Sequence, residues 1–405
     1  MNRFIKKISS FFKSQYQKQR WLLLIFGGEG VEARRIFYYP TSKTFKEKKS
    51  LRFLKVNEND FHTSKIFKAF SKLFFFPFPY KVMVVAPRKL CRSKYFTVSF
   101  ERKNNSKPIE ANELASVFSQ NLWPMIESNK KEFMKDNGYE DLNILLVNSQ
   151  VIRIAADDKI LSNLDDIFSS SFKKASIGIV QTLAYRAFFS SLRKTFPKRA
   201  TFREFHEYGF NLPLSILLYA GAKKENKAKR FITATVEEKE TRIFVFDGKS
   251  LVYHDTFSFG RRSLYDALHH VMNIDITVFN ALMKKIVEKD ITSSTSKKLV
   301  FILDKELARL GNGLLAFKKE SKAQAAFVDG GLMNNFLRMH PRYEPFVVDN
   351  SICNCGYKGD ISGLSLGESY KADILCAIGL DKKDQVNTIA TRQIRWLIPH
   401  SVDVK

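Results

Sequence analysis

Cysteine is scarce in this chain, and its few copies form no recognisable pattern. Only 4 occur among 405 residues, and no second Cys or His pair lies at zinc spacing from Cys353 and Cys355. Disulfide-held proteins carry more cysteines at regular spacing, whereas isolated thiols are typical of reducing compartments. We therefore expect a cytoplasmic protein with reduced thiols, without a disulfide framework and without a bound metal.

Long apolar runs and acidic residues are also lacking. No stretch of about 18 uninterrupted apolar residues could form a transmembrane helix, and the apolar run at 21–26 is too short for the core of a signal peptide. The chain has 41 acidic residues against 67 basic ones, a formal net charge of +26. This surplus predicts attraction to a polyanion, which could be nucleic acid, an anionic membrane surface or an acidic partner.

Apolar and aromatic residues are abundant. They include 37 Phe, and hydrophobic residues make up 44% of the sequence. Such a chain buries enough apolar surface to fold, and its length allows two or more lobes with separate cores.

The first 20 residues separate apolar from basic side chains. At 100° per residue, the apolar ones fall within an arc of about 140°; they are Phe4, Ile5, Ile8, Phe11, Phe12 and Tyr16. All six basic residues of the segment fall in the opposite arc, and no acidic residue accompanies them; they are Arg3, Lys6, Lys7, Lys13, Lys18 and Arg20. This pattern predicts a helix lying in an anionic headgroup layer, with Phe4, Ile5, Ile8, Phe11, Phe12, Lys6, Lys7 and Lys13 binding the membrane. The alternative is a helix docked on the protein's own body.

The stretch from 230 to 285 has the most regular pattern of the chain. Strand signals at 231–236, 241–246 and 251–257 are separated by a charged turn and by the hairpin dipeptide at 247–248. Two helix signals follow, the first of them from 264 to 272.

Three meandering strands, a glycine and two helices resemble one half of the FtsA/PilM branch of the actin-like ATPases. The resemblance implies an α/β, two-lobed, actin-like (ribonuclease H-like) fold with an inserted SHS2-type subdomain called 1C. The implied domains are a basic helix at 1–20, subdomain 1A at 21–80 and 165–212, the insertion at 81–164, a second lobe at 213–380 with a short subdomain 2B near 290–322, and a tail at 381–405.

The resemblance also implies a nucleotide site made of glycine turns and one lysine, which are Gly27, Gly28, Gly260, Lys285, Gly330 and Gly331. The first turn lacks the family's Asp, Glu237, Glu238 and Glu240 stand where the phosphates would lie, and Leu282 replaces the customary Glu. We therefore expect at most weak binding of ATP or ADP with Mg and no catalytic residue. Plain structural hairpins are the alternative interpretation of both turns.

Elsewhere the pattern predicts a basic loop over 41–50, two strands at 142–148 and 150–155, and a helix over 172–195. It also predicts a strand at 299–303 followed by a helix over 305–319.

The resemblance implies an FtsA-like adaptor that tethers an FtsZ-type filament to the inner face of the cell membrane, with possible self-polymerisation. The alternative is a PilM-like cytoplasmic scaffold of a type IV pilus, with a PilN-like peptide as its partner. A nucleic-acid-binding protein is a third hypothesis; it is disfavoured because the basic residues are spread along the chain instead of gathered with aromatics. A working sugar kinase would need a catalytic Asp and intact phosphate turns, which the sequence lacks.

Overall fold

The computed structural model describes residues 18–27, 30–42, 44–54, 78–103, 107–157, 159–161, 163–196, 200–208, 210, 230–237, 239–247, 250–287, 292–329 and 384–399. The chain divides into two compact units. Unit 1 comprises Met1–Asn211 and Lys358–Lys405, and unit 2 comprises Leu212–Tyr357. We describe each unit by itself.

Unit 1 begins with a five-stranded sheet in the order β3-β2-β1-β4-β9. Its strands are β1 (Gln19–Gly27), β2 (Gly30–Tyr39), β3 (Thr44–Leu54), β4 (Tyr80–Ala86) and β9 (Ala200–Glu207). The first three form an antiparallel meander, and β4 and β9 add in parallel beyond β1. Apolar residues fill β1 and β4 almost continuously, which is typical of central strands covered on both faces.

A second sheet of unit 1 is inserted between β4 and β9. It has the order β5-β8-β6-β7, with β5 (Cys91–Glu101), β6 (Ile144–Ala156), β7 (Lys159–Ile160) and β8 (Lys174–Tyr185). All of its pairings are antiparallel. The sheet overlaps the range 81–164 of the predicted 1C insertion, and its last strand ends at Tyr185.

Three helices complete the described part of unit 1. They are α1 (Ala111–Asn137), α2 (Arg186–Thr195) and α6 (Gln385–Ile394). Leu114, Phe118, Leu122 and Ile126 of α1 share one buried core with Val386 and Ile389 of α6 and with both sheets. α1 continues through Pro124, which removes one backbone hydrogen bond and crowds the preceding turn, because Leu122 and Ile126 on either side of it are buried.

Unit 2 contains a four-stranded sheet in the order β12-β11-β10-β13. Its strands are β10 (Arg230–Val236), β11 (Thr241–Asp247), β12 (Ser250–Phe257) and β13 (Ala325–Asp329). Its helices are α3 (Arg261–Met272), α4 (Ile276–Val287) and α5 (Ser293–Glu320). Leu264 and Leu268 of α3 pack with Leu303 and Leu307 of α5 against β10 and β11.

The two units repeat one topology. In each, an antiparallel meander places its first strand in the middle, and a later strand adds in parallel beside that first strand. This duplicated arrangement is the actin-like fold that the resemblance implies. Among the described residues, no helix is both long enough and apolar enough to span a bilayer.

Several predictions of local structure are wrong. The predicted helix over 172–195 is strand β8 followed by helix α2. β8 is buried on both faces over most of its length, so its side chains show no alternation that would reveal a strand. The predicted strands at 142–148 and 150–155 are one continuous strand, β6, whose pairing with β8 shifts at two irregular points.

The other errors concern charged or apolar runs. The predicted basic loop at 41–50 is largely β3, an edge strand whose lysines face solvent. The predicted strand at 299–303 lies inside α5. In that helix the buried leucines recur every three or four residues, at Leu299, Leu303, Leu307, Leu310 and Leu314.

The described residues nearest to the two ends of the chain belong to the folded body of unit 1. Lys18 precedes β1 and Arg20 lies in this strand, so neither residue extends the cationic face of a helix. Arg20 is buried, and its guanidinium lies 4.1 Å from the centre of the Phe78 ring. Burial and the neighbouring cations, Arg20 first, lower the pKa of Lys18. At the other end, α6 buries Val386, Ile389 and Ile394 in the core of unit 1.

Candidate functional site

The predicted first-phosphate turn joins β1 to β2 in unit 1. Gly27 ends β1 and pairs directly with Gly30, which begins β2. Gly28, the other predicted residue of this turn, lies outside the described residues. Backbone groups at a glycine turn can approach an anion closely, but the sequence here has neither the Asp nor the hydroxyl residue that the family places at this turn.

The predicted second-phosphate turn joins β10 to β11 in unit 2, and an arginine occupies it. The turn closes through the Glu237 amide, which donates to the Glu240 carbonyl at 2.9 Å. Arg242, 4% exposed, places its Nε 2.9 Å from a carboxylate oxygen of Glu237 and 3.7 Å from one of Glu240. Arg242 of β11 therefore offsets part of the acidic charge that the sequence places at this turn.

The start of α3 is fastened to the same turn. Gly260, a predicted nucleotide-binding residue, is the N-cap of α3, and its extended backbone is open to any residue type. The next amide, that of Arg261, donates to the Glu237 carbonyl at 2.8 Å. The buried Thr241 hydroxyl donates to the Phe259 carbonyl at 2.8 Å. One of the amides that a helix N-terminus offers to an anion is thus already used by the protein.

The remaining predicted nucleotide residues are only partly placed. Lys285 lies on α4 with an exposed side chain. Leu282, on the same helix, is half-buried and packs against the core of unit 2, which explains an apolar residue at that position. Gly330 and Gly331 lie outside the described residues, immediately after β13.

The predicted membrane-binding residues also lie outside the described part of the chain; they are Phe4, Ile5, Lys6, Lys7, Ile8, Phe11, Phe12 and Lys13. Among the described residues, no group of three or more His, Cys, Asp or Glu side chains could hold a metal ion. The described geometry therefore brings together only the turn, Arg242 and the start of α3.

A buried polar cluster on β9 was missed by the sequence analysis. The carboxylate of Glu207 accepts the Ser93 amide at 2.8 Å, and the Ser93 and Thr182 hydroxyls lie 2.9 Å apart. Burial, and after it the Glu207 carboxylate, raises the pKa of the neighbouring Cys91 thiol well above its ordinary value. These contacts fasten the inserted sheet to β9 and leave Cys91 unreactive.

Comparisons with known proteins concern the fold. No family model and no curated protein matches the chain. A PilM–PilN type IV pilus biogenesis complex is similar over 92% of this chain and 98% of that one, at 10% identity and a TM-score of 0.49. The ethanolamine utilization protein EutJ from Carboxydothermus hydrogenoformans is similar over 82% and 83%, at 7% identity and a TM-score of 0.38. The apo psk41 ParM protein is similar over 90% and 99%, at 9% identity and a TM-score of 0.35. Such likenesses transfer no activity, ligand or partner.

Proposed function

We propose that this protein is an actin-fold adaptor that binds a protein partner at a membrane surface and does not turn over nucleotide. The observation that carries the proposal is the ion pair of Arg242 with Glu237 and Glu240. It occupies the turn where an actin-like ATPase needs backbone amides and a metal-holding acid. The departures at the first turn support the same conclusion, and weak binding of ATP or ADP with Mg remains compatible with it.

Residues 1–17 are the proposed membrane anchor, which makes the protein peripheral on the inner face of the cell membrane. The segment keeps the apolar face and Arg3, Lys6, Lys7 and Lys13 on its opposite side. Helix α6 offers no second apolar face for this role, because its residues Val386, Ile389 and Ile394 are buried in unit 1. One amphipathic helix with a basic face supports reversible binding to anionic lipid.

Two partners fit such an adaptor. An FtsZ-like filament is the partner that the FtsA resemblance implies, through subdomain 2B and with self-polymerisation as a further possibility. In this chain residues 293–320 of that region form the single helix α5. The absence of a strand-containing 2B within the described part of the region favours the PilM-like scaffold, with a PilN-like peptide as its partner.

Vesicle co-sedimentation tests the anchor. The full chain should pellet with anionic vesicles and stay in solution with zwitterionic ones. Phe12→Glu should lose most of this binding, because the charge enters the apolar face. Phe301→Glu is the matched control, since it changes an 84% exposed phenylalanine on α5 by the same charge.

A deletion of residues 1–17 provides the second variant and leaves β1, with Gln19 and Arg20, intact. If Phe12→Glu and the deletion both pellet as the unchanged protein does, residues 1–17 are not the anchor. If Phe301→Glu loses binding equally, the attraction is not specific to that segment.

A further inference from the structure

A cavity on unit 1 combines cationic and aromatic side chains, and neither proposed function uses it. Its volume is about 660 Å³, within the range of ligand-binding pockets. Helix α2, β6 and the turn after α6 form its walls. The lining residues are Leu145, Arg186, Phe189, Ser190, Arg193, Lys194, Trp396, Leu397, Ile398 and Pro399.

One face of α2 supplies the cationic wall. Arg186, Phe189, Ser190, Arg193 and Lys194 stand at helical positions i, i+3, i+4, i+7 and i+8, so they form a single stripe. The Arg186 Nε donates to the Leu142 carbonyl, which fixes this side chain at the first turn of the helix. The three cationic side chains are exposed, so they can meet a charged partner.

No carboxylate lines this cavity or pairs with its three cations among the described residues. Because the chain has a net charge of +26, many of its cations lack an acidic partner, so the lack of a carboxylate at this cavity does not by itself identify a binding site. The contrast lies within unit 1, where Arg92 contacts both Glu132 and Asp136, and Arg102 contacts Glu113. The cations of α2 instead share one concave wall with apolar side chains.

The opposite wall presents an indole to solvent. Trp396 is 72% exposed although its neighbours Ile394 and Ile398 are buried, and it stacks on Trp123 with the ring centres 5.5 Å apart. The stack and the buried neighbours hold the indole in a fixed position. Exposed, preorganised Trp and Arg side chains are the residues that most often dominate protein–protein binding energies.

We infer that this cavity binds a short acidic segment of a protein partner, with carboxylates on Arg193 and Lys194 and an apolar side chain against Trp396. The charge complementarity selects an acidic occupant. The walls favour a peptide over single-stranded nucleic acid, because successive bases need several exposed aromatic side chains to stack on, whereas Trp396 is the exposed aromatic residue of this lining and the other apolar residues there are mostly aliphatic. The inference does not depend on the membrane or pilus proposals, since every lining residue belongs to unit 1.

A fluorescein-labelled peptide of alternating glutamate and leucine is the probe, with binding to the full-length protein followed by fluorescence polarisation. Arg193→Glu/Lys194→Glu should weaken binding about tenfold or more, because repulsion replaces attraction at the wall. Lys318→Glu/Lys319→Glu is the matched control, since it reverses two cations in the last turn of α5, the equivalent place on another helix. Binding should weaken between about 50 and about 300 mM salt, as expected for exposed charges.

Trp396→Ala is the second variant. It should also weaken binding severalfold, because it removes the indole that the apolar side chain of the peptide contacts. Since this indole is exposed, its removal leaves the core intact. Three results would overturn the inference. One is that the probe does not bind at all. Another is that both charge reversals weaken binding equally. The third is that a single-stranded oligothymidine binds more tightly than the peptide and depends on the same residues, which would make the cavity a nucleic-acid surface.

Discussion

Arg242 is the residue on which the interpretation of the second turn depends. Its sequence neighbours suggested only three glutamates at a hairpin tip, because the pairing of Arg242 with Glu237 requires the β10–β11 register. In that register Val236 faces Thr241, and the turn brings residues five apart within ion-pair distance. A buried cation beside two partly buried carboxylates is a structural element of the turn.

Replacing Arg242 should destabilise unit 2. Arg242→Met leaves Glu237 and Glu240 close together without a cation, at a cost of about 2–4 kcal/mol in the free energy of unfolding. Chemical denaturation followed by circular dichroism measures this loss. The double variant with Glu237→Gln should recover part of the loss, and purely additive effects would show that the pair does not interact.

Cys91 should remain protonated in the folded protein. The raised pKa of its thiol favours the neutral form, so its contribution to stability is complete below about pH 8.5, the ordinary thiol pKa. That contribution is lost as the pH rises further, because the unfolded chain can ionise and the folded chain cannot.

Ellman's reagent tests this in a variant with Cys353→Ser, Cys355→Ser and Cys376→Ser, where Cys91 is the remaining thiol. We expect no reaction at pH 8 until denaturant is added. The extra loss of stability above pH 8.5 should disappear when Cys91→Ala is added. Rapid reaction of the folded protein would show that the thiol is accessible.

At the scale of elements, the sequence predicts the strands that alternate or end in turn residues and fails where burial removes the pattern. The meander β10–β12 was predicted because β-branched runs meet an Asp-Gly hairpin. β8 was taken for a helix because both of its faces are covered. The site followed the same rule: the glycine turns can be read from the sequence, but Arg242 and the wall of α2 depend on register and packing.

One polar side chain of helix α6 bonds to the backbone of the inserted sheet, in addition to the apolar residues that the helix buries. The Asn387 amide accepts the Val151 N–H at 2.7 Å and donates to the Val151 carbonyl at 3.0 Å. The side chain thus bonds to both backbone groups of Val151, as a residue of a neighbouring strand would. Val151 lies at an irregular point of the β6–β8 pairing. A tail fastened in this way is a fixed part of unit 1.

Asn387→Ala should therefore cost about 2–3 kcal/mol in the free energy of unfolding, since it leaves a buried amide and carbonyl without partners. Thr388→Ala is the control on the same helix, because its hydroxyl bonds only locally to the Asp384 carbonyl. We expect it to cost about 0.5–1 kcal/mol. Equal effects in thermal or chemical denaturation would mean that the Asn387 bridge does not hold the helix.

At the scale of the whole molecule, the chain repeats the same sheet topology in two units, and the turns that would serve a nucleotide depart from those of an ATPase. Unit 1 supplies Gly27 and Gly30 without the family's Asp, and in unit 2 Arg242 of β11 pairs with the acidic residues of the turn. These departures agree with the adaptor role that we propose, and the cavity beside α2 is where we infer that a partner segment binds.

Isothermal titration of the full-length protein with ATP and Mg, together with a phosphate-release assay, tests this account most directly. We predict binding weaker than micromolar or none, and no phosphate release above the rate of buffer alone. Micromolar affinity with steady turnover would contradict the account and make the protein an active ATPase.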